Sequence, residues 1–310
     1  MEFRIETLSP IWTGGIDGNT SRHFRNSGLT GSLRWWYEIT LRALGGYACS
    51  PVNYACPGDD KARCAACNMF GCTGWGRKFK LRVTHENGTM VKDALLKGRT
   101  YLWEFIFLRE TADWEKWLLH SLITKVIAPY GSVGGKMPNK PTESPRSSKR
   151  NAKHHKDYGL FQVTDTPDEI RTFHFTKEMI KEQIAPFIVH KAENLQGNHS
   201  DWPLLSHLFC VKADFGNKCF DRLEINKFIG VKPDNPSAVG YCLHASGKGV
   251  SKKIFSFNRD RVWGYCTDDK QRKKIITEIA NIIGKYPGAK VTEEIEGSAF
   301  VDKLFEQECK

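Results

Sequence analysis

The chain opens on a period of two. Residues 2–8, EFRIETL, put Phe3 and Ile5 on one face and charges on the other, the pattern of a half-buried strand. A loop rich in Gly, Asn and Ser follows to about residue 31. The period then lengthens. Residues 32–44, SLRWWYEITLRAL, set Leu33, Trp36, Thr40 or Leu41, and Leu44 at helical spacing, with Ser32 placed to cap the start and Gly45-Gly46 to end it. Residues 77–84 and 99–108 return to strand patterns. Residues 113–128 predict a helix with Trp114, Trp117, Leu118, Leu122 and Val126 inward, and residues 159–164 a further strand. The order is β-α-β-β-α-β, the ferredoxin-like plan.

The second half carries helical patterns at 177–187, 201–209, 268–285 and 298–308. The strongest is 268–285, with Ile275, Ile276, Ile279, Ile282 and Ile283 on one face. Strands are expected near 208–214, 222–228, 252–258 and 289–295. These elements suit a second copy of the same plan. The expected class is α+β, with tandem ferredoxin-like, RRM-related domains over 1–165 and 166–310. The first carries a cysteine-rich insertion at 47–76 and a basic loop at 136–156.

Composition narrows the class. Of 310 residues, 40% are hydrophobic and 26% charged, enough for a real core. No run of eighteen apolar residues exists to cross a membrane. The first residues lack the basic-then-apolar plan of a secretory signal, so a cytoplasmic location is expected. The net charge of +11 opposes compaction and asks for a polyanionic partner, with nucleic acid ahead of a membrane surface.

Ten cysteines in a cytoplasmic chain are not expected to be disulfides, and five of them crowd into residues 49–72. Cys64-Ala-Ala-Cys67 can bring two thiolates to one ion on a tight turn. Cys56 and Cys72 flank the pair at workable distances, with Cys49 as a spare. Four thiolates around structural Zn²⁺ is the reading this spacing favours. Free cysteines or a redox Cys-x-x-Cys pair are the alternatives. A catalytic zinc is not expected, since all-cysteine sites are normally closed.

Two glycine loops carry the remaining chemistry. Residues 12–34 hold five glycines with Arg22, His23, Arg25 and Arg34, a composition that lets a backbone approach phosphates at a helix start. Residues 129–136, PYGSVGGK, do not form a Walker A loop. Only three residues separate Gly131 from Gly135, and Met137 stands where a Mg²⁺-binding hydroxyl belongs. The loop runs into Lys136, Lys140, Arg146, Lys149, Arg150, Lys153 and Lys156, against Glu143 alone. Such a stretch would bind a phosphate backbone in a salt-sensitive way. Trp75 stacks a base or belongs to the core.

LSPIWTGG at 8–15, GLTGSLRWWYE at 28–38, the run from Cys64 through FGCTGW to Trp75, and YGSVGGK at 130–136 together resemble the RAMP superfamily, the repeat-associated subunits of CRISPR effector complexes. Within it, the first half is most similar to the first RAMP subunit of the type III-B (Cmr) complex. The resemblance implies a non-catalytic subunit. It would bind guide RNA and the guide–target duplex toward the guide's 3′ end, beside other RAMP subunits. Carried over by motif, the glycine loop is Gly131, Gly134, Gly135 and Lys136, and the first-helix motif is Ser32, Leu33, Arg34 and Trp35. The insertion at 136–156 departs from the family pattern.

The expected RNA contacts are Arg22, Arg25, Ser32, Arg34, Arg77, Lys78, Gly131, Gly134, Gly135 and Lys136, and the expected zinc ligands are Cys56, Cys64, Cys67 and Cys72. A metal-independent RAMP endoribonuclease is the alternative. It would use His23, His154-His155 or Asp17 as acid and base. A zinc-stapled protein adaptor is a third class.

Overall fold

The computed structural model describes residues 1–14, 23–49, 56, 62–134, 157–167, 170, 172–187, 203–214, 254–257 and 261–306. The strand expected at 222–228, the basic loop 136–156, Arg22, Gly135 and Lys136 lie outside the described residues. The chain divides into two compact units. One holds Met1–Lys136, Tyr158–Leu205 and Val301–Lys310; the other holds Met137–Asp157 and Ser206–Phe300.

In the first unit the strands are β1 (Glu2–Thr7), β2 (Phe79–His85), β3 (Thr100–Phe107) and β4 (Phe161–Asp165). They form one antiparallel sheet in the order β2-β3-β1-β4, the ferredoxin-like arrangement. Alternation decides which face is buried. Phe79, Phe105 and Phe3 make a row across three strands, with ring centroids 5.2 and 5.8 Å apart. The His120 ring stacks on Phe3 at 5.6 Å, and Phe70 meets Phe79 edge-on at 5.3 Å. On the other face the charges pair with one another. Arg82 Nε donates to Glu104 at 2.6 Å, Gln162 donates to Glu6 at 2.6 Å, and Arg4 pairs with Glu86.

Helix α1 spans Asn26–Ala43, starting six residues before the expected Ser32, which lies inside it and does not cap it. The reason is a contact the sequence conceals. Gly28 lets the helix press against the Thr13 backbone: a Cβ at Gly28 would lie 2.9 Å from the Thr13 carbonyl carbon and closer still to its oxygen. Thr13 Oγ1 in turn accepts from the Arg25 N–H at 2.9 Å. The helix ends as expected. Gly45, at φ +86°, donates to the Arg42 carbonyl, and Gly46 to that of Leu41, which together make a Schellman motif. A short helix, α2 (Ala65–Phe70), precedes β2. Helix α3 (Asp113–Ser121) runs on through a π-helical turn, Leu122–Ile127, to a last turn at Ala128–Tyr130. Pro129 cannot donate to the carbonyl four residues back, and the widened turn lies just before it.

Apart from Met137–Asp157, the second unit runs over Ser206–Phe300, where the expected domain began at residue 166. Residues after β4 pack on the first unit. Phe175 meets Trp117 at 5.4 Å, Phe187 meets Trp114 at 6.1 Å, and Ile184 lies against Gly46. The second unit holds β5 (Leu208–Asp214), β6 (Ile254–Ser256), β7 (Arg261–Tyr265) and β8 (Lys290–Glu296). Their antiparallel order, β6-β7-β5-β8, repeats that of the first sheet, strand for strand. The helix Asp269–Gly284 is capped by Asp268, whose carboxylate accepts from the Gln271 N–H at 2.8 Å. It buries the five predicted isoleucines against Phe209, Val211, Ile254 and Val262. The helix expected at 201–209 is only a 3₁₀ turn, Leu205–His207. β7 was not expected.

Two glycines in one helix should therefore respond oppositely to alanine. Gly31 faces open space, so Gly31→Ala should gain about 0.5–1 kcal/mol of stability. Gly28→Ala should lose about 1–3 kcal/mol, because backbone must move. Thermal melts of the two variants should shift in opposite directions from that of the wild type. A Gly28→Ala melt at or above wild type would show that the close approach to Thr13 is absent.

Candidate metal centre and nucleic-acid interface

The cysteine site grows from the ends of two helices. After the Schellman turn, Arg42 reaches along its own helix end. Its Nε donates to the Ala48 carbonyl and its Nη2 to that of Cys49, both at 3.1 Å. That grip turns Cys49 inward. Cys64 is the N-cap of α2, with its Sγ accepting from the Cys67 N–H at 3.4 Å. The Cys64 N–H points at the Cys56 Sγ, 3.5 Å away. The sulfurs of Cys49, Cys56, Cys64 and Cys67 all lie within 4.8 Å of one another, and all four residues are buried. Four such groups could hold a metal ion.

This set corrects the expected one in a single member. Cys49 takes the place given to Cys72. Gly71, at φ +89°, ends α2, and Cys72 then exchanges two backbone hydrogen bonds with Trp75, both 2.9 Å, in the turn that leads to β2. Cys72 is only half-buried. As bare thiols the four share protons unequally. Donation from Cys56, Cys64 and Cys67 pushes the Cys49 thiol far down, while Cys64 and Cys67, each facing Cys49, are pushed up.

Two expected RNA contacts are engaged inside the protein. Arg34 uses each of its three nitrogens: Nε to Glu38 at 2.7 Å, Nη1 to the Gly71 carbonyl at 2.6 Å and Nη2 to the Cys67 Sγ at 3.1 Å. Lys78 donates to Glu115 at 2.6 Å, where the carboxylate is 1% exposed. Glu115 also accepts from Asn68 and from the Ala112 N–H, tying α2, β2 and α3 together. Arg77 is exposed. Trp75 is neither core nor open platform. The Arg63 and Arg109 guanidiniums lie over its ring at 3.7 and 4.3 Å.

The glycine loops meet. Gly134, at φ +105°, lies so close to Trp12 that a Cβ there would be 2.5 Å from the Trp12 carbonyl oxygen. The Trp36 indole N–H donates to the Ser132 carbonyl at 3.0 Å, and Gly131 ends its helix against the same ring. Val133 donates to Gly159, and Gly159 to Pro10, both at 2.9 Å. Residues 10–14, 131–134, 158–160 and the start of α1 thus form one junction. Arg25 is exposed at the helix start, and Ser32 is half-buried two turns on. His23 pairs across a β-bridge with Asp93, its Nδ1 3.9 Å from the carboxylate, both side chains open to solvent. The sequence reading missed Arg42, Glu38, Glu115 and Thr13. The spacing Arg34-x₃-Glu38-x₃-Arg42 was the available signal for the first two.

Replacing Cys49 with Ser should abolish stoichiometric metal binding, while Cys72→Ser should leave it intact. Metal per chain, measured by plasma mass spectrometry after desalting, separates the two ligand sets.

Residues 4–307 match the family model described as the RAMP superfamily. No curated protein sequence matches the chain. Among solved structures, the crystal structure of Cmr1 from Pyrococcus furiosus, apo form, aligns over 96% of this chain and 98% of its own, at 13% identity and a TM-score of 0.45. No helix among the described residues is long and apolar enough to cross a membrane. With its family model matched over almost the whole length, this chain belongs to the RAMP superfamily.

Proposed function

We propose that this chain is a non-catalytic RNA-binding subunit of a type III-B CRISPR ribonucleoprotein, working in the cytoplasm among other RAMP subunits. It contacts guide RNA and the guide–target duplex near the guide's 3′ end. The observation that carries the reading is the junction of the two glycine loops. Segments about 120 residues apart are pinned around the start of α1 by Gly28, Gly134 and Gly159. The chain leaves this junction at Gly134 toward the most basic stretch in the sequence. Backbone in close approach, a helix start and clustered cations are the elements of phosphate recognition.

The sheet points the same way. An RRM reads bases with aromatic rings on its open face. Here Phe3, Tyr101, Trp103 and Phe105 are buried on the inner face, and the open face pairs Arg82 with Glu104 and Arg4 with Glu86. Arg4 and Arg82 are paired there, Lys80 stands exposed, and the described residues of that face offer no aromatic ring. RNA contact therefore belongs to the loops at the sheet's end, and it reads backbone rather than sequence.

The metal in this reading is structural Zn²⁺. A tetrahedron with Zn–S bonds near 2.3 Å sets sulfurs about 3.8 Å apart. The observed ceiling of 4.8 Å and the Cys49–Cys67 separation of 3.4 Å suit one ion. An iron–sulfur cluster, whose cysteines ligate separate irons, needs more room.

Binding of a guide RNA should fall steeply with salt, with a log–log slope of several units. Arg25→Ala should lower that slope by about one unit. A flat response across salt would sink the RNA reading. Incubation of the protein with guide RNA in chelator should leave the RNA whole. Cleavage that vanishes in His23→Ala would establish the endoribonuclease instead.

A further inference from the structure

A buried zinc tetrathiolate carries two net negative charges, and its partners must come from the protein around it. Cys49, Cys64 and Cys67 are at most 2% exposed, and Cys56 is 5% exposed, so water is not the partner. Backbone N–H groups of Cys64 and Cys67 reach two of the sulfurs. The charged partners lie on one stripe of α1. Arg34, Glu38 and Arg42 are spaced four residues apart, with Arg34 Nε 2.7 Å and Arg42 Nη2 4.0 Å from the Glu38 carboxylate. Two guanidiniums against one carboxylate leave this stripe one positive charge.

Resting on the zinc reading above, we propose that Arg34 is a positioning residue of the metal centre, donating to the Cys67 thiolate, and that Arg42 is its companion through the backbone of Cys49. The assignment follows from where the nitrogens go. A solvent-facing helix pair would end at Glu38. Arg34 continues past it, to a sulfur at 3.1 Å and to the Gly71 carbonyl that closes α2 at 2.6 Å. One side chain thereby orients a metal ligand, neutralises part of its charge and fixes the turn that follows the Cys-x₂-Cys pair. Arg42 does the same for Cys49 by holding the carbonyls of Ala48 and Cys49. Glu38 keeps both guanidiniums aimed. The arginine of the GSLRWW motif thus serves the metal and not the RNA.

The test measures metal and RNA on the same full-length proteins. Zinc release is followed against a colorimetric chelator, and guide-RNA affinity against salt. Arg34→Met should release zinc at a chelator concentration about ten-fold lower than wild type, with the salt slope for RNA unchanged. Unchanged zinc release with a reduced salt slope overturns the assignment and returns Arg34 to the RNA. Unchanged zinc release alone also overturns it. Should Arg34→Met fail to fold, Arg34→Lys carries the test. It keeps the charge but cannot make the three-way fork, so it should release zinc several-fold more readily, and wild-type retention overturns the proposal. A wild-type protein that holds no zinc and takes none up removes the zinc reading itself, an outcome distinct from all of these.

Discussion

Glu38 is a carboxylate 5% exposed on the inner side of a helix, and the first unit is arranged around keeping it there. Burial pushes its carboxyl up, and Arg34 and then Arg42 oppose that shift. Each guanidinium, once drawn in to serve Glu38, has further N–H groups that must also be satisfied. Those groups reach Gly71, Cys67, Ala48 and Cys49. One buried charge therefore recruits two others, and they in turn set the path of the chain on both sides of the cysteine site. Glu115 plays a similar part for α2, β2 and α3. Burial pushes the nearby Tyr37 phenol up, and Glu115 adds to that shift.

The same helix serves two ends of the unit. Its C-terminal half faces the thiols, and its start is locked to Thr13 where the glycine loops meet. The sheet beneath turns its large rings inward and pairs Arg4 with Glu86 and Arg82 with Glu104 on its outer face. The two units share one strand order. What distinguishes them is the inserted chain at strand ends.

The sequence made regular elements legible wherever a single period ran unbroken. The isoleucine face of 269–284 and the strand Leu208–Asp214 were read almost to the residue. The misreadings have a common cause, a choice made by distant contacts. Asn26–Gly31 looks like loop because it holds two glycines, and only the Thr13 backbone explains why a helix needs Gly28. β7, RVWGY, is short, opens on a buried arginine and is broken by Gly264, so no alternation marks it. Cys49 and Cys72 stand at equally workable spacings from the Cys-x₂-Cys pair, and Arg42 decides between them. Arg34 and Lys78 looked like cations for phosphate because a sequence displays charge but not the buried carboxylate waiting for it.

The first unit is not continuous along the chain. Lys125 donates to the Glu306 carbonyl at 2.7 Å, and Trp117 packs on Phe305 at 5.4 Å. Residues translated after the whole second sheet are thus part of the first unit's wall. On the ribosome, the early sheet and both of its helices emerge long before the segment that covers Trp117. Phe175 reaches that ring early, but the side that Phe305 covers must wait while about 190 further residues are made. Vectorial synthesis therefore finishes this unit last, although it starts first. A gene split between the two sheets would leave the Phe305 side of that ring permanently uncovered.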